Sequence, residues 1–84
     1  MNNLDALLES GAEQHLTKYE GCDQAIIGIG YRCGQQPLYI YDYITLVGIF
    51  QEQGMELEEA EEWVDYNIVN AWIGEGTPIV MYNQ

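Results

Sequence analysis

Apolar side chains recur every three or four residues between residues 57 and 73, as they do on one face of a helix. This apolar stripe consists of Leu57, Ala60, Trp63, Val64, Ile68, Ala71 and Trp72. The spacing predicts a helix that begins near residue 56 and buries the stripe. Glycine accepts the left-handed conformation that ends many helices and proline cannot continue a helix, so Gly74 and Pro78 predict where it ends. Asn67 lies on the stripe, which predicts a buried amide that hydrogen-bonds the backbone or lines a site.

The remaining apolar pattern predicts two further helices and three strands. Helical spacing predicts a first helix over 3–19 and another over 43–53, which the carboxylate of Asp42 is placed to cap. Alternating or continuous apolar residues predict strands over 24–33, 37–41 and 79–82. The order helix, strand, strand, helix, helix, strand predicts one α+β domain over 1–84, with a small antiparallel sheet of about three strands packed against about three helices. We expect the last strand to pair with the first.

The charge balance narrows the classes of partner. With 14 acidic and 2 basic residues the formal net charge is −12. Such a field repels nucleic acid and anionic membranes and favours encounter with a basic protein surface. The chain contains neither a run of about 20 apolar residues nor a basic leader with an apolar core, so we expect a cytoplasmic protein with no membrane contact and no direct binding of nucleic acid. Alternatively, the charge serves only solubility.

Half of the acidic residues lie between Glu52 and Asp65. Four of them are separated by three, four or seven positions and form one line on the predicted helix, away from the apolar stripe. This acidic ridge consists of Glu58, Glu61, Glu62 and Asp65. Like charges at these spacings cost a few tenths of a kcal/mol each, and no nearby lysine or arginine offsets them. One hypothesis is that the ridge imitates a phosphate backbone and occupies the nucleic-acid-binding surface of a partner; the alternative is a solvated helix face.

No motif for catalysis, a cofactor or a metal is present. Gly28 and Gly30 begin a G-x-G-x-x-G pattern, but its third position is Cys33 and a turn follows where the dinucleotide motif needs a helix. Cys22 and Cys33 are predicted to be reduced thiols, buried or nearly so, and with the single His15 they do not form a zinc-binding pattern. We therefore predict a protein that is not an enzyme, with no cofactor and no metal site.

Four segments carry a resemblance to known sequences. They are Ala25-Ile-Ile-Gly-Ile-Gly-Tyr-Arg-Cys-Gly34, Tyr41-Asp42, Gly54-Met55 with Glu59-Ala60, and Tyr66-Asn67 leading to Ala71-Trp-Ile-Gly-Glu-Gly-Thr-Pro78. Together they resemble a family of small uncharacterised proteins encoded by bacteriophages and by bacterial genomes that carry prophages. The resemblance implies that the protein has a phage or prophage origin and that it acts in the cytoplasm of the host cell. It does not imply a mechanism. It also marks five candidate pocket residues: Asp42, Asn67, Trp72, Glu75 and Thr77.

Two functions of different classes remain open on this basis. In the first, a phage-type protein binds a host protein through the acidic ridge, as a nucleic-acid mimic or as an inhibitor of host defence or transcription. In the second, a structural or self-associating module forms a homodimer through exposed tyrosine and tryptophan residues and has no catalytic activity.

Overall fold

The structure is a computed structural model that describes residues 16–82. These residues form three strands and two α-helices, with a 3-10 turn at Asp23–Ala25 before them and a π-helical turn at Asp65–Val69 directly after the second helix. In chain order the main elements are β1 (Ile26–Gly30), β2 (Leu38–Asp42), α1 (Tyr43–Glu52), α2 (Leu57–Val64) and β3 (Ile79–Met81). The fold is a small α+β fold. Neither helix of this part of the chain has the length and apolar content that crossing a bilayer requires.

The sheet is mixed, with the strand order β1-β2-β3. β1 runs antiparallel to β2, whereas β3 pairs with β2 in parallel, Ile40 lying opposite Ile79. The prediction of an antiparallel sheet in which the last strand pairs with the first is therefore wrong. Parallel neighbours need a crossover of a dozen or more residues, and the segment from Tyr43 to Pro78, which contains both α-helices, provides that crossover.

The predicted number and order of helices are also wrong. The described residues contain two α-helices, and their element order does not match the predicted one. The predicted first helix over 3–19 lies mostly outside the described residues, and the described part of it, 16–19, is not helical.

The predicted helix over 56–73 is shorter than its apolar pattern suggested. Both the backbone N–H and the side-chain amide of Asn70 donate to the carbonyl oxygen of Asp65, at 3.0 and 2.9 Å. These bonds satisfy a carbonyl of the last turn and end the helical segment before Gly74. Gly74 has a φ of 116° and lies in the following turn, where Thr77 N–H donates to its carbonyl oxygen at 3.1 Å.

The start of α1 agrees with the sequence. The Asp42 carboxylate accepts hydrogen bonds from the backbone N–H of Thr45 at 3.0 Å and from its hydroxyl at 2.7 Å. The first N–H groups of a helix have no partner within the helix, and a capping side chain supplies one. The prediction that Asp42 caps this helix is confirmed.

The core is formed by residues of β1, β2, both α-helices and the π-helical turn. Tyr39 and Tyr41 of β2 are buried, and the Tyr41 hydroxyl accepts a hydrogen bond from the Tyr19 N–H at 2.9 Å. Burial raises the pKa of Tyr41 to about 12. Cys22 is buried and Cys33 is exposed, and both are free thiols, so the expected burial holds for Cys22 only.

Only part of the apolar stripe faces this core. Ala60, Val64 and Ile68 are buried at intervals of four residues. Leu57 is exposed, and Trp72 is 75% exposed because the helical segment ends before it. The prediction that the whole stripe is buried is therefore wrong at both of its ends and at Trp63, which is 37% exposed.

Candidate functional site: a groove on the outer side of α2

A shallow groove of about 600 Å³ lies along the solvent side of α2 and the π-helical turn. We call it the outer groove. Its lining residues are Glu59, Glu62, Trp63, Asp65, Tyr66, Asn67 and Asn70. Most of them are separated by three or four positions, which places them along one side of the helical segment. That side points away from the buried line of Ala60, Val64 and Ile68.

Two aromatic rings give the outer groove an apolar surface. Tyr66, in the π-helical turn, is 81% exposed. Trp63 is 37% exposed, and its ring packs against the ring of Phe50 in α1 with 4.3 Å between centroids. Contact with the core therefore holds Trp63 in place, while the Tyr66 ring is available to a ligand.

Two asparagine side chains present oxygen atoms at the same surface. The side-chain amide of Asn67 donates to the carbonyl oxygen of Trp63 at 3.0 Å, and that of Asn70 donates to Asp65, as described above. Neither side-chain oxygen accepts a hydrogen bond from residues 16–82. Asn67 is exposed, so the expectation of a buried amide is wrong. Both side chains can still accept hydrogen bonds from a ligand.

The acidic ridge is a line of carboxylates with unequal surroundings. Glu58 and Glu62 are exposed, whereas Glu61 and Asp65 are half-buried. Within the described part of the chain, the three glutamates have no hydrogen-bond or ion-pair partner. Glu62 and Asp65 also line the outer groove, so the ridge and the groove share two residues.

Asp65 differs from the glutamates because it is tied into the fold. It accepts a hydrogen bond from the Tyr43 hydroxyl at 3.0 Å. Burial of Tyr43, together with this hydrogen bond, raises the pKa of Tyr43 to about 12. The ring of Tyr43 also stacks on that of Tyr82, with centroids 4.3 Å apart. Asp65 thus joins the start of α1 to the end of α2 besides contributing to the ridge.

Of the five candidate pocket residues, Asn67 is the one that lines the outer groove. Asp42 caps α1, and its carboxylate is engaged there. Trp72 and Glu75 are exposed in the segment that leads to β3. The lining of the outer groove includes none of Asp42, Trp72, Glu75 and Thr77.

Thr77 organises the segment between the π-helical turn and β3. Its hydroxyl donates to the carbonyl oxygen of Gly74 at 2.6 Å and accepts from the N–H of Ile73 at 2.9 Å. These bonds close a turn that a hydroxyl can hold and an apolar side chain cannot.

Sequence reasoning missed the aromatic side of the groove. The apolar stripe includes Trp63 and predicts it in the core, and none of the predicted site residues is Tyr66 or Asn70. The signal that could have found them is a second series at helical spacing, 59, 62, 63, 66, 67 and 70, that runs beside the buried series.

No group of three or more His, Cys, Asp or Glu side chains among residues 16–82 is arranged to hold a metal ion. The carboxylates of the ridge lie in a line along the helix, whereas a cation site needs oxygen atoms that converge on one point.

Fold and groove together describe a small α+β protein with an open groove that is both acidic and aromatic. No family model matches this chain, and neither a curated protein nor a solved structure matches it. The resemblance to phage-encoded proteins stays a prediction from the sequence.

Proposed function

We propose that this chain is a small phage-type protein that binds a host protein with a basic surface, as a nucleic-acid mimic or an inhibitor of host defence or transcription. The observation that carries the proposal is the line of unpaired glutamates on α2, Glu58, Glu61 and Glu62, continued by Asp65. The host and the phage origin are drawn from the sequence resemblance. Binding, rather than chemistry, is the role that this surface supports.

The spacing of the ridge supports mimicry of a nucleic-acid strand. A helix rises about 1.5 Å per residue, so the four carboxylates from Glu58 to Asp65 are spread over about 10 Å, which is an average of about 3.5 Å of axis per interval. One strand of duplex DNA carries a phosphate about every 3.4 Å of axis. The linear charge density of the ridge therefore resembles that of one strand.

The fold holds the ridge in a defined geometry. Ala60 and Val64 are completely buried on the opposite side of α2, and the hydrogen bond between Tyr43 and Asp65 joins its end to α1. A partner therefore meets carboxylates on an ordered helix rather than on a mobile tail. The net charge of −12 adds long-range attraction to any basic surface, which increases the rate of encounter.

The experiment that tests the proposal compares two variants of equal net charge. Both carry three Glu→Gln substitutions at positions that have no described partner. In the ridge variant they are Glu58→Gln, Glu61→Gln and Glu62→Gln. In the control variant they are Glu20→Gln, Glu52→Gln and Glu75→Gln, all exposed and outside the ridge.

Wild type, ridge variant and control variant are immobilised, exposed to host lysate at physiological salt and washed with duplex DNA. We expect wild type and control variant to retain a nucleic-acid-binding protein that the DNA displaces, and the ridge variant to lose it. Equal retention by all three forms, or retention that DNA does not displace, would contradict mimicry by the ridge.

A second candidate function, self-association, is favoured by the edge of the sheet. β3 is an edge strand of the described sheet, and its residues Ile79 and Met81, with the following Tyr82, are exposed. An edge strand offers unpaired backbone groups to a second chain.

If β3 forms a homodimer, sedimentation will show a concentration-dependent dimer that Met81→Lys converts to a monomer. A wild-type monomer at every concentration would exclude it.

A further inference from the structure

We propose that the outer groove binds an arginine side chain of the partner, with the guanidinium against the Tyr66 and Trp63 rings and its N–H groups directed to the surrounding oxygen atoms. This inference rests on the proposed function, because it identifies the group of the basic partner that the site takes. It goes beyond charge attraction, since it assigns a specific side chain to a specific groove.

The aromatic rings are the first argument. Cations are attracted to the faces of tyrosine and tryptophan rings, and arginine also stacks on them through its planar group. Tyr66 exposes most of its ring, and Trp63 exposes one part while Phe50 supports another. Two partly or largely exposed aromatic residues that line the same groove therefore offer a planar cation two ring surfaces.

The oxygen atoms are the second argument. Glu59 and Glu62 contribute carboxylates to the lining, and the side-chain oxygens of Asn67 and Asn70 accept no hydrogen bond from described residues. The side-chain amide of each asparagine donates one hydrogen bond to a backbone carbonyl oxygen. A guanidinium carries five N–H donors and no acceptor, so it complements a site that is rich in acceptors.

Charge complementarity selects a cation over other occupants. Three acidic residues, Glu59, Glu62 and Asp65, line the groove, and the chain carries a net charge of −12. A phosphate or a carboxylate ligand would be repelled. Lysine would satisfy the charge, but its compact and strongly hydrated ammonium cannot stack as a guanidinium does. The groove therefore favours arginine over lysine.

The test is an NMR titration of the ¹⁵N-labelled chain at about 0.15 M salt, where general charge attraction is screened beyond about 8 Å. The probes are three peptides that differ at one residue, acetyl-Gly-Xaa-Gly-amide with Xaa as arginine, lysine or citrulline. Citrulline has nearly the shape of arginine without its charge. We expect the arginine peptide to shift the Trp63 indole N–H and the Asn67 and Asn70 side-chain amides.

The expected affinity for the arginine peptide is about two- to fivefold higher than for the lysine peptide, because both cations are attracted to the rings but only the guanidinium also stacks on them. Citrulline should produce no saturable shift. In Tyr66→Ala the preference for arginine over lysine should disappear. Tyr31→Ala removes another exposed tyrosine that does not line the groove, and it should keep the preference.

Equal affinities for arginine and lysine in the wild type, or a preference that survives Tyr66→Ala, would overturn the arginine site. So would shifts confined to residues outside the groove. These results are separate from the test of the ridge. If the ridge variant loses the partner while arginine shows no preference, the proposed function stands and this inference fails. If arginine binds as expected but the ridge variant retains the partner, the ridge is not the docking surface.

Discussion

At the scale of single residues, Asp42 makes the clearest contribution to stability, because its carboxylate accepts two hydrogen bonds from Thr45 at the start of α1. We expect Asp42→Ala to lower the free energy of unfolding by about 1 kcal/mol, the usual cost of losing an N-cap. Asp42→Asn should cost much less, since asparagine caps about as well. Urea unfolding of the three proteins provides the measurement, and an alanine variant as stable as wild type would show that the cap contributes nothing.

Two buried tyrosines make stability sensitive to high pH. The pKa of Tyr41 and that of Tyr43 are raised from 10.0 to about 12, in both cases chiefly by burial. In the unfolded chain these phenols ionise near their ordinary pKa of about 10, so above that pH the unfolded state binds fewer protons than the folded state. The stability they contribute is complete below about pH 10 and is lost as the pH rises towards 12.

Tyr43→Phe tests this dependence. The variant loses the hydrogen bond to Asp65, which should cost about 1 kcal/mol at neutral pH. It also loses one of the phenols whose pKa the fold raises, so its unfolding free energy should fall less steeply than that of wild type between pH 10 and 12. Urea midpoints measured at intervals from pH 8 to 11.5 give both slopes. Parallel slopes would mean that Tyr43 does not contribute to the alkaline loss.

At the scale of elements, the sequence predicted those structures whose signals are local. The start of α1 follows from Asp42 directly before an apolar helical pattern, and β1 and β2 follow from apolar runs on either side of a Gly34 turn. The end of the helical segment that α2 and the π-helical turn form together depends on side-chain bonds that spacing does not reveal. Asn70 closes the helical segment, and Thr77 organises the turn around Gly74, where the sequence suggested only a glycine stop.

The pairing of the last strand is the other feature that the sequence predicted wrongly at this scale. β3 has few residues, and nothing in its composition distinguishes parallel pairing with β2 from antiparallel pairing with β1. That choice depends on where the crossover through both helices returns the chain.

The candidate site was predictable in part for the same reason. The spacing of the carboxylates predicted the ridge. It did not show that the Trp63 ring packs against Phe50 and that part of this ring is exposed in the outer groove.

The burial of α1 gives an element-scale prediction with an internal control. Leu46 is completely buried in the core, whereas Ile44, two positions earlier on the same helix, is 63% exposed. Leu46→Ala should lower the free energy of unfolding by about 2–5 kcal/mol, through lost burial and the cavity left behind. Ile44→Ala should change it by less than about 1 kcal/mol. Similar losses in urea unfolding would contradict the assigned orientation of α1.

At the scale of the whole molecule, the dominant property is the excess of negative charge. A net charge of −12 on a chain of 84 residues destabilises the compact state through self-repulsion, and salt screens that repulsion. We expect the urea midpoint to rise when NaCl is increased from about 0.02 to 0.5 M. The ridge variant should start from a higher midpoint at low salt and gain less, because it removes like charges spaced three and four residues apart. A midpoint that falls with salt would show that favourable ion pairs prevail.

The proposal that the ridge binds a basic partner is tested most directly by titrating the purified partner with wild type, ridge variant and control variant. Three surface charge contacts of a few tenths to one kcal/mol each, one of them from the half-buried Glu61, predict that the ridge variant binds about tenfold more weakly. The control variant, with the same net charge, should bind within about threefold of wild type, because the position of the charges matters more than their sum. Equal weakening of both variants would mean that the ridge contributes only general charge attraction. Undiminished binding by the ridge variant would contradict the proposal that the ridge binds the partner.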